Sequence, residues 1–302
     1  MSAAVSQDKF FYGGQAVLEG VLMRGRTTYA VAVRRPDGEI QILRERLRSV
    51  VYTHPLWKLP LLRGLASLWE MLHLGMKALV YSANVQAEGE QLELNSNVIR
   101  VTMGIAIVGA LLFFLGVPLV AAGFLSRGHS NLVFGLIDGL VRIGLLLLYL
   151  YAISFKAEIA RLFAYHGAEH KTINAFEAGL PLDVPNVRTQ STLHPRCGTG
   201  FLLVVLVVSV IVFSVVALFN PNTFWLISSR VLAIPLIAGA GFELIRFMAR
   251  NRTNPVVKVM LIPVLATQKF TTREPSDDML EVAIVAFNSA REGEEDTAGA
   301  AA

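Results

Sequence analysis

Long apolar runs dominate the second half of the chain, and polar segments separate them. Four of these runs are long enough to cross the hydrocarbon core of a membrane, which takes about 20 helical residues. They cover residues 101–124, 136–155, 200–219 and 224–248. The pattern therefore predicts a membrane α-helical protein with about four transmembrane helices and a long polar link at 156–199.

The polar segments predict an α+β cap outside the membrane. Residues 29–33 and 40–43 are typical of strands. The turn sequence 35–38 (Arg-Pro-Asp-Gly) between them indicates a small N-terminal β-hairpin, because proline fixes φ and glycine supplies positive φ. In 56–82, apolar residues recur at helical spacing among charged ones, which favours a helix lying in the membrane interface. A surface helix packed on a soluble core is the alternative.

A further cap helix is predicted after Pro275, followed by a disordered tail from residue 292. The chain is thus divided into six regions. These are a cytoplasmic glycine-rich β element (1–55), an interfacial amphipathic helix region (56–100), transmembrane helices 1 and 2 (101–155), a cytoplasmic link (156–199), transmembrane helices 3 and 4 (200–248), and a cytoplasmic C-terminal helix with its tail (249–302).

Composition and charge agree with a membrane location. Hydrophobic residues make up 54% of the chain and charged residues only 17%. Lysine and arginine are concentrated before residue 101 and in 156–199, whereas the link 125–135 holds Arg127 alone. This asymmetry predicts a multi-pass protein of the bacterial inner membrane with both termini and the long link in the cytoplasm. The basic residues flank apolar runs and form no aromatic-interleaved stripe, so nucleic acid is not an expected partner.

The chemistry is predicted to centre on His166, Glu169 and His170. Histidines four apart on a helix lie on one face, one turn apart, and a carboxylate beside them can take a proton from water on a metal. The order His-x-x-Glu-His occurs in a class of metalloproteases, although five residues alone are a weak signal. Lys171, directly after the second histidine, is a further catalytic candidate.

More candidate ligands surround this motif. If the second membrane helix continues past Lys156, Glu177 shares the face of the two histidines. His194 and Cys197 offer two ligands of the types that zinc prefers. Cys197 also has two other interpretations, a nucleophile with a histidine base or a small buried thiol. A straight helix would place His166 about 15 Å beyond Lys156, so convergence requires a break, for example at Gly167, or a link that folds back.

Other polar residues carry weaker hypotheses. Gln15, Glu19 and Arg24 lie in a glycine-rich stretch and could face the same site, or serve the shape of the turns alone. Glu19 is retained as a catalytic candidate. The pair at 243 and 246 is either functional or a satisfied pair at a helix end, and the pair at 138 and 142 is interpreted as structural.

Four sequence blocks resemble the YqhQ-like family of bacterial membrane proteins. They are Gly-Gly-Gln-Ala-Val-x-Glu-Gly-Val-x-Met-Arg-Gly (13–25), Tyr-His-Gly-Ala-Glu-His-Lys (165–171), His-Pro-Arg-Cys-Gly-Thr (194–199) and Thr-Thr-Arg-Glu-Pro (271–275). They occur in the family's order over about residues 10–290. The family is of unknown function and is labelled a predicted metal-dependent enzyme, so the resemblance implies a metal site without supplying a substrate.

The leading functional hypothesis is a zinc-type metal-dependent hydrolase at the membrane–cytoplasm boundary. His166, His170 and either His194 or Cys197 would bind the divalent metal. Glu169 would act as general base, with Glu19 or Glu177 as a further ligand or orienting group. The expected partners are membrane lipids and a lipid-linked or membrane substrate, with a homo-oligomer left open. The alternatives are a non-catalytic scaffold with a structural metal site and, less favoured, a transporter.

Overall fold

A computed structural model describes residues 12–47, 49, 55–88, 96–219 and 221–299 of the chain. The N-terminal part forms a four-stranded antiparallel sheet in which each strand pairs with the next along the chain. The strands are β1 (Gly13–Val17), β2 (Gly20–Arg24), β3 (Thr28–Arg34) and β4 (Ile40–Arg46). The predicted hairpin is therefore present as β3–β4, and the glycine-rich stretch before it supplies two further strands.

The rest of the described chain is helical. After a short 3-10 turn at Pro55–Lys58, the helices are α1 (Leu62–Ala87), α2 (Ser96–Leu111), α3 (Val117–Leu125), α4 (Asn131–Ile153), α5 (Ala157–Glu177), α6 (Val184–Arg188), α7 (Gly198–Leu218), α8 (Thr223–Leu232), α9 (Ile234–Arg250), α10 (Pro255–Gln268) and α11 (Asp277–Gly299). One π-helical turn, Leu112–Gly116, connects α2 to α3.

Helices cover both faces of the sheet. On one face, Leu74, Ala78 and Val85 of α1 pack with alternate strand residues that include Val31 and Val33. On the other face, the strand residues between them pack against α5 and α11. Because both faces are buried, β2 and β3 are apolar at successive positions, which is why alternation is weak in this stretch.

Within the described part of the chain, three segments are long and apolar enough to cross a membrane by length and composition: Val101–Leu125, Asn131–Ile153 and Gly198–Leu218. The fourth predicted run, 224–248, is divided between α8 and α9, which meet at Ala233. Pro235 in the first turn of α9 lacks an N–H and cannot continue an α8 hydrogen-bond ladder. The predicted fourth helix is therefore two shorter helices.

The second membrane helix also does not continue into the cap. It ends at Ile153, the Lys156 backbone is extended, and α5 begins as a separate helix at Ala157. The carbonyl of Ser154 in this corner accepts a hydrogen bond from Arg273 Nη2 at 2.7 Å. The break lets α5 turn against the sheet, where eleven of its residues, including a glutamate, a histidine and a lysine, are buried.

The C-terminal helix predicted after Pro275 is present as α11, and it continues to Gly299. It therefore enters the segment from residue 292 for which the sequence predicts disorder. Glu294 explains part of this order, because it accepts a hydrogen bond from Tyr12 Oη at 2.7 Å and another from the main-chain N–H of Arg26. Residues 300–302 lie outside the described part of the chain.

Helix α1 has the amphipathic character that the sequence predicts. It buries Leu74 and Ala78 under the sheet and exposes Trp69 and Leu72 on another face. The two apolar faces are what an interfacial helix requires, one for the cap and one for lipid. Its position at the membrane surface stays a prediction.

Candidate metal centre

The two motif histidines lie on α5, one turn apart, with ring centroids separated by 4.4 Å. His166 Nδ1 lies 2.8 Å from the carbonyl oxygen of Thr271, and His170 Nδ1 lies 2.6 Å from the carbonyl oxygen of Thr192. A carbonyl can only accept, so each Nδ1 carries the proton in these contacts. The Nε2 lone pairs are thereby left available, which is the usual arrangement of metal-ligating histidines.

Cys197 joins the histidines from the start of α7. Its Sγ lies 3.3 Å from His166 Nε2 and 3.1 Å from Thr199 Oγ1. The ligand atoms of His166, His170 and Cys197 all lie within 4.8 Å of one another, so this group could hold a metal ion. The geometric conflict noted in the sequence is resolved because residues 178–197 fold back along α5, and α5 itself is unbroken at Gly167.

The thiol and His166 form a coupled pair. Burial raises the pKa of the Cys197 thiol, but the adjacent His166 and His170 imidazoles outweigh burial and lower the pKa well below its ordinary value. Burial in turn lowers the pKa of His166, while the thiolate raises it to about 9. Both shifts favour the charged forms of the thiol and the imidazole, and a divalent cation would bind the thiolate together with the deprotonated imidazole.

Glu169 is buried beside this pair, on the side of the sheet. Its side chain packs so closely on Gly14 of β1 that a Cβ there would lie 3.0 Å from Glu169 Cδ. Burial raises the pKa of the carboxyl, although the two motif histidines oppose the rise. Oε2 of Glu169 has no hydrogen-bond partner among the described residues. An unsatisfied buried carboxylate oxygen costs free energy, so this atom is available to a ligand or a water.

His194 lies next to the three-residue group without belonging to it. Its ring centroid is 5.6 Å from that of His170, and its Nε2 has no hydrogen-bond partner in the described chain. Burial lowers its pKa to about 4, so the ring is neutral at pH 7. The position is fixed by Gln268, whose side-chain amide accepts from the N–H of His194 at 2.9 Å and donates to its carbonyl at 2.8 Å.

Three predicted site residues are engaged elsewhere. Glu177 pairs with Arg196 and Arg252, and its Oε1 is 3.9 Å from His194 Nε2, too far for a hydrogen bond. Glu19 pairs with Arg161, which lies about one and a half turns before the motif. Lys171 Nζ contacts Glu274 at 2.5 Å and the carbonyl of Arg188 at 2.7 Å. The structure does not bring these side chains to the metal cluster.

Two other residues of the glycine-rich stretch also point away from the cluster. The side chain of Gln15 packs on Gly75 of α1, and Arg24 pairs with Glu70 of the same helix. The pair Glu243–Arg63 ties α9 to α1 near the cap. These residues hold cap and helices together and are structural by their contacts.

Sequence reasoning did not identify the groups that position the ligands. They are the carbonyls of Thr192 and Thr271, the amide of Gln268 and the hydroxyl of Thr199. Gly167 has a related role, because a Cβ at this position would overlap the carbonyl oxygen of Arg273. The sequence block 271–275 contains Thr271 and Arg273 and could have indicated these positioning groups, but the sequence alone predicts no role for it.

A polar groove is lined partly by the segments that contact the two histidines. Its volume is about 430 Å³, and Thr192 and Thr272 lie in its walls together with Lys269, Arg273 and Glu274. Thr192, whose carbonyl contacts His170, therefore borders both the groove and the candidate metal centre.

Glu177 gives a prediction about pH. Burial raises the pKa of this carboxyl, but contacts with His194 and Arg196 lower it to about 2. A depressed carboxyl pKa stabilises the fold above the unfolded value of about 4.3, and that stability is lost as the pH falls toward 2. We expect Glu177→Gln to destabilise the protein by about 2–3 kcal/mol at pH 7 and by about half as much near pH 3. Thermal unfolding of both proteins across this range measures the difference, and a pH-independent difference would contradict the ion-pair account.

The site and fold define a mainly helical protein with candidate membrane spans, a small antiparallel sheet and a cluster of two histidines and a cysteine that could hold a metal. The family described as Protein of unknown function (DUF1385) matches residues 59–293, and the chain belongs to this family. It is 36% identical to the Uncharacterized protein YqhQ of Bacillus subtilis (strain 168) over 292 residues, which cover 92% of this chain and 91% of that protein. The resemblance stated from the sequence blocks is thereby confirmed. No solved structure matches the chain.

Proposed function

We propose that the chain is a zinc-dependent hydrolase of the cytoplasmic membrane, with its active site in the cap at the membrane–cytoplasm boundary. The observation that carries this proposal is the buried cluster of His166, His170 and Cys197 beside Glu169, whose Oε2 has no hydrogen-bond partner among the described residues. Two imidazoles and a thiolate fit zinc, and three protein ligands with an open position are typical of catalytic sites. A zinc ion bound there would polarise a carbonyl or phosphoryl group and activate water.

Glu169 is the proposed general base. Burial raises the pKa of its carboxyl, and a carboxylate of raised pKa accepts a proton more readily than an ordinary one. It lies on the same helix as both histidines and one residue before His170, so α5 fixes its distance from them. Its free Oε2 can accept the proton of a water molecule and return it to a leaving group.

A location at the membrane surface is supported by how the cap is assembled. The N-terminal sheet packs against the C-terminal helix α11, so the number of membrane crossings between them is even. Helices α8 and α9 would together provide the fourth crossing, broken at Ala233. The excess of lysine and arginine in the cap segments favours the cytoplasmic side.

The groove beside the metal centre favours a substrate with an anionic group. Lys269 and Arg273 lie in its walls, and the acidic wall residue Glu274 is paired with Lys171. Arg273 also reaches the corner at Ser154 where α4 ends. The phosphate of a lipid-linked substrate would bind Lys269 and Arg273 where the lipid headgroups contact the cap. We propose a lipid-linked or other membrane-embedded substrate on this basis.

The substitution Glu169→Gln tests the proposal. Wild-type and Glu169→Gln proteins in lipid nanodiscs are loaded with zinc and incubated with a total bacterial lipid extract, and the products are compared by mass spectrometry. We expect the Glu169→Gln variant to keep the metal and to form product about 10²–10⁴-fold more slowly, the usual contribution of a general base. Identical product profiles, or no product with either protein, would count against a hydrolase.

A structural metal site is the second candidate, and His194 favours it. The neutral, buried Nε2 without a partner among the described residues could become a fourth ligand by a small rotation of its ring toward His170. A closed site of four ligands would hold the loop 191–197 against α5 without catalysis. In that case His194→Ala would release the metal, whereas the hydrolase proposal expects this variant to retain it.

A further inference from the structure

A second group of buried charges lies away from the metal centre, between the apolar helices. Asp138 and Arg142 are on α4, and Arg230 is on α8. Arg142 Nη2 donates to both carboxylate oxygens of Asp138 at 3.1 Å, and Arg230 Nε lies 3.6 Å from Asp138 Oδ2. All three are at most 5% exposed. The predicted pair of Asp138 and Arg142 is thus present, and it has a third member that the sequence did not reveal.

The three charges do not cancel. Two guanidinium groups and one carboxylate leave an excess of one positive charge, and arginine does not lose its proton in proteins. An unpaired buried charge costs several kcal/mol. The faces of Phe213 and Phe134 lie 4.3 Å and 5.7 Å from Arg230, and such cation–π contacts return less free energy than burial of an unpaired charge costs. The aromatic rings therefore do not compensate for the excess charge by themselves.

The hydrogen-bonding groups of the arginines are also incompletely used. Nε of Arg142 and all three nitrogens of Arg230 have no hydrogen-bond partner among the described residues. The Arg230 donors belong to a side chain that is 2% exposed. A buried guanidinium with free donors and no full counter-charge requires an acceptor that carries negative charge.

We propose that Asp138, Arg142 and Arg230 form a binding site for one singly charged oxyanion of the phosphate type. The planar guanidinium fork matches two oxygens of such a group, and a single negative charge balances the excess. The same chemistry is offered by the phosphodiester of a phospholipid headgroup and by free inorganic phosphate.

The position of the cluster along α4 and α7 indicates at which ends of these helices the proposed anion would bind. Asp138 is seven residues, or about 10 Å, from the Asn131 end of α4, and Phe213 is five residues, or about 8 Å, from the Leu218 end of α7. The other ends of these two helices, near Ser154 and Cys197, contact the cap and the metal centre. The cluster therefore lies nearer the helix ends that are opposite the metal centre, the side from which the proposed anion would bind, and its existence does not depend on the proposed hydrolase.

Titration of the full-length protein in uncharged detergent and chloride-free buffer tests the proposal. The two probes are inorganic phosphate and a short-chain phosphatidylglycerol, each followed by calorimetry. The variants are Arg230→Gln, Asp138→Asn and, as a matched control, Arg127→Gln. Arg127 is exposed at the far end of the preceding span, where it stacks on Phe124. All four proteins keep the metal centre, so any binding there is common to them.

We expect saturable binding of one probe molecule per chain to the wild type, at least tenfold weaker binding to Arg230→Gln and no change in Arg127→Gln. Asp138→Asn raises the excess charge from one to two and is expected to bind at least as tightly as the wild type. Binding of inorganic phosphate assigns a free anion to the site, and binding of phosphatidylglycerol alone assigns a lipid headgroup. The proposal is overturned if neither probe saturates, or if Asp138→Asn weakens binding as much as Arg230→Gln, since equal losses indicate a purely structural triad.

Discussion

Replacing His170 by alanine is expected to lower zinc affinity by more than about 100-fold, so that the variant purifies essentially free of metal. Changes in groups that only orient a ligand cost about 10–100-fold, and loss of a ligand itself exceeds this. His170 contributes one of the three ligand atoms, and its removal leaves only the ligand atoms of His166 and Cys197. Elemental analysis of detergent-purified protein after equal zinc exposure measures the effect.

His73→Ala is the matched control, because this histidine is exposed on α1 and lies outside the cluster. The control should keep the wild-type metal content. Gel filtration of His170→Ala should show the same elution as wild type, since the helices do not depend on the metal for their apolar contacts. Equal metal content in wild type and His170→Ala would show that the ion, if present, is held elsewhere.

Gly167→Ala is expected to destabilise the protein by about 1–3 kcal/mol or more and to weaken metal binding by about 10–100-fold. A Cβ at this position overlaps the carbonyl oxygen of Arg273, which is backbone and cannot rotate away. The displaced segment also carries the Thr271 carbonyl that orients His166 and the Arg273 N–H that bonds to Phe163. The midpoint of thermal unfolding and a competitive zinc titration measure the two effects.

Gly144→Ala in α4 is the matched control for this substitution. A Cβ there meets nothing within 4 Å, so alanine should be neutral or slightly stabilising in a helix. If Gly167→Ala behaved like Gly144→Ala, the close contact between α5 and the segment 271–273 would not exist in the protein.

The elements that could be predicted from sequence are those set by local pattern. Three of the apolar runs correspond to membrane-length helices, and the spacing of His166 and His170 correctly predicts that they share one helical face. The strands β1 and β2 are not predicted because their glycine-rich stretch, with Gly13, Gly14 and Gly20, indicates turns rather than strands. The corner at Ser154 was missed because its reason lies in a distant contact with Arg273.

Assembly of the candidate site depended on contacts that no local pattern encodes. Cys197 reaches His166 because the loop before it is held by Gln268, 74 residues further along the chain from His194. Conversely, Glu177 has the correct helical spacing for the histidine face and is still drawn away by Arg196 and Arg252. Helical spacing predicts the direction in which a side chain points but not the residue that it contacts.

One metal ion bound by two histidines and Cys197, with a further position open, gives a distinctive ligand shell. Zinc X-ray absorption spectroscopy of the stoichiometrically loaded wild type measures this shell. We expect one sulfur at about 2.3 Å together with nitrogen or oxygen ligands at about 2.0–2.1 Å, and the same spectrum in His194→Ala. A shell without sulfur, or the absence of stoichiometric zinc, would contradict it.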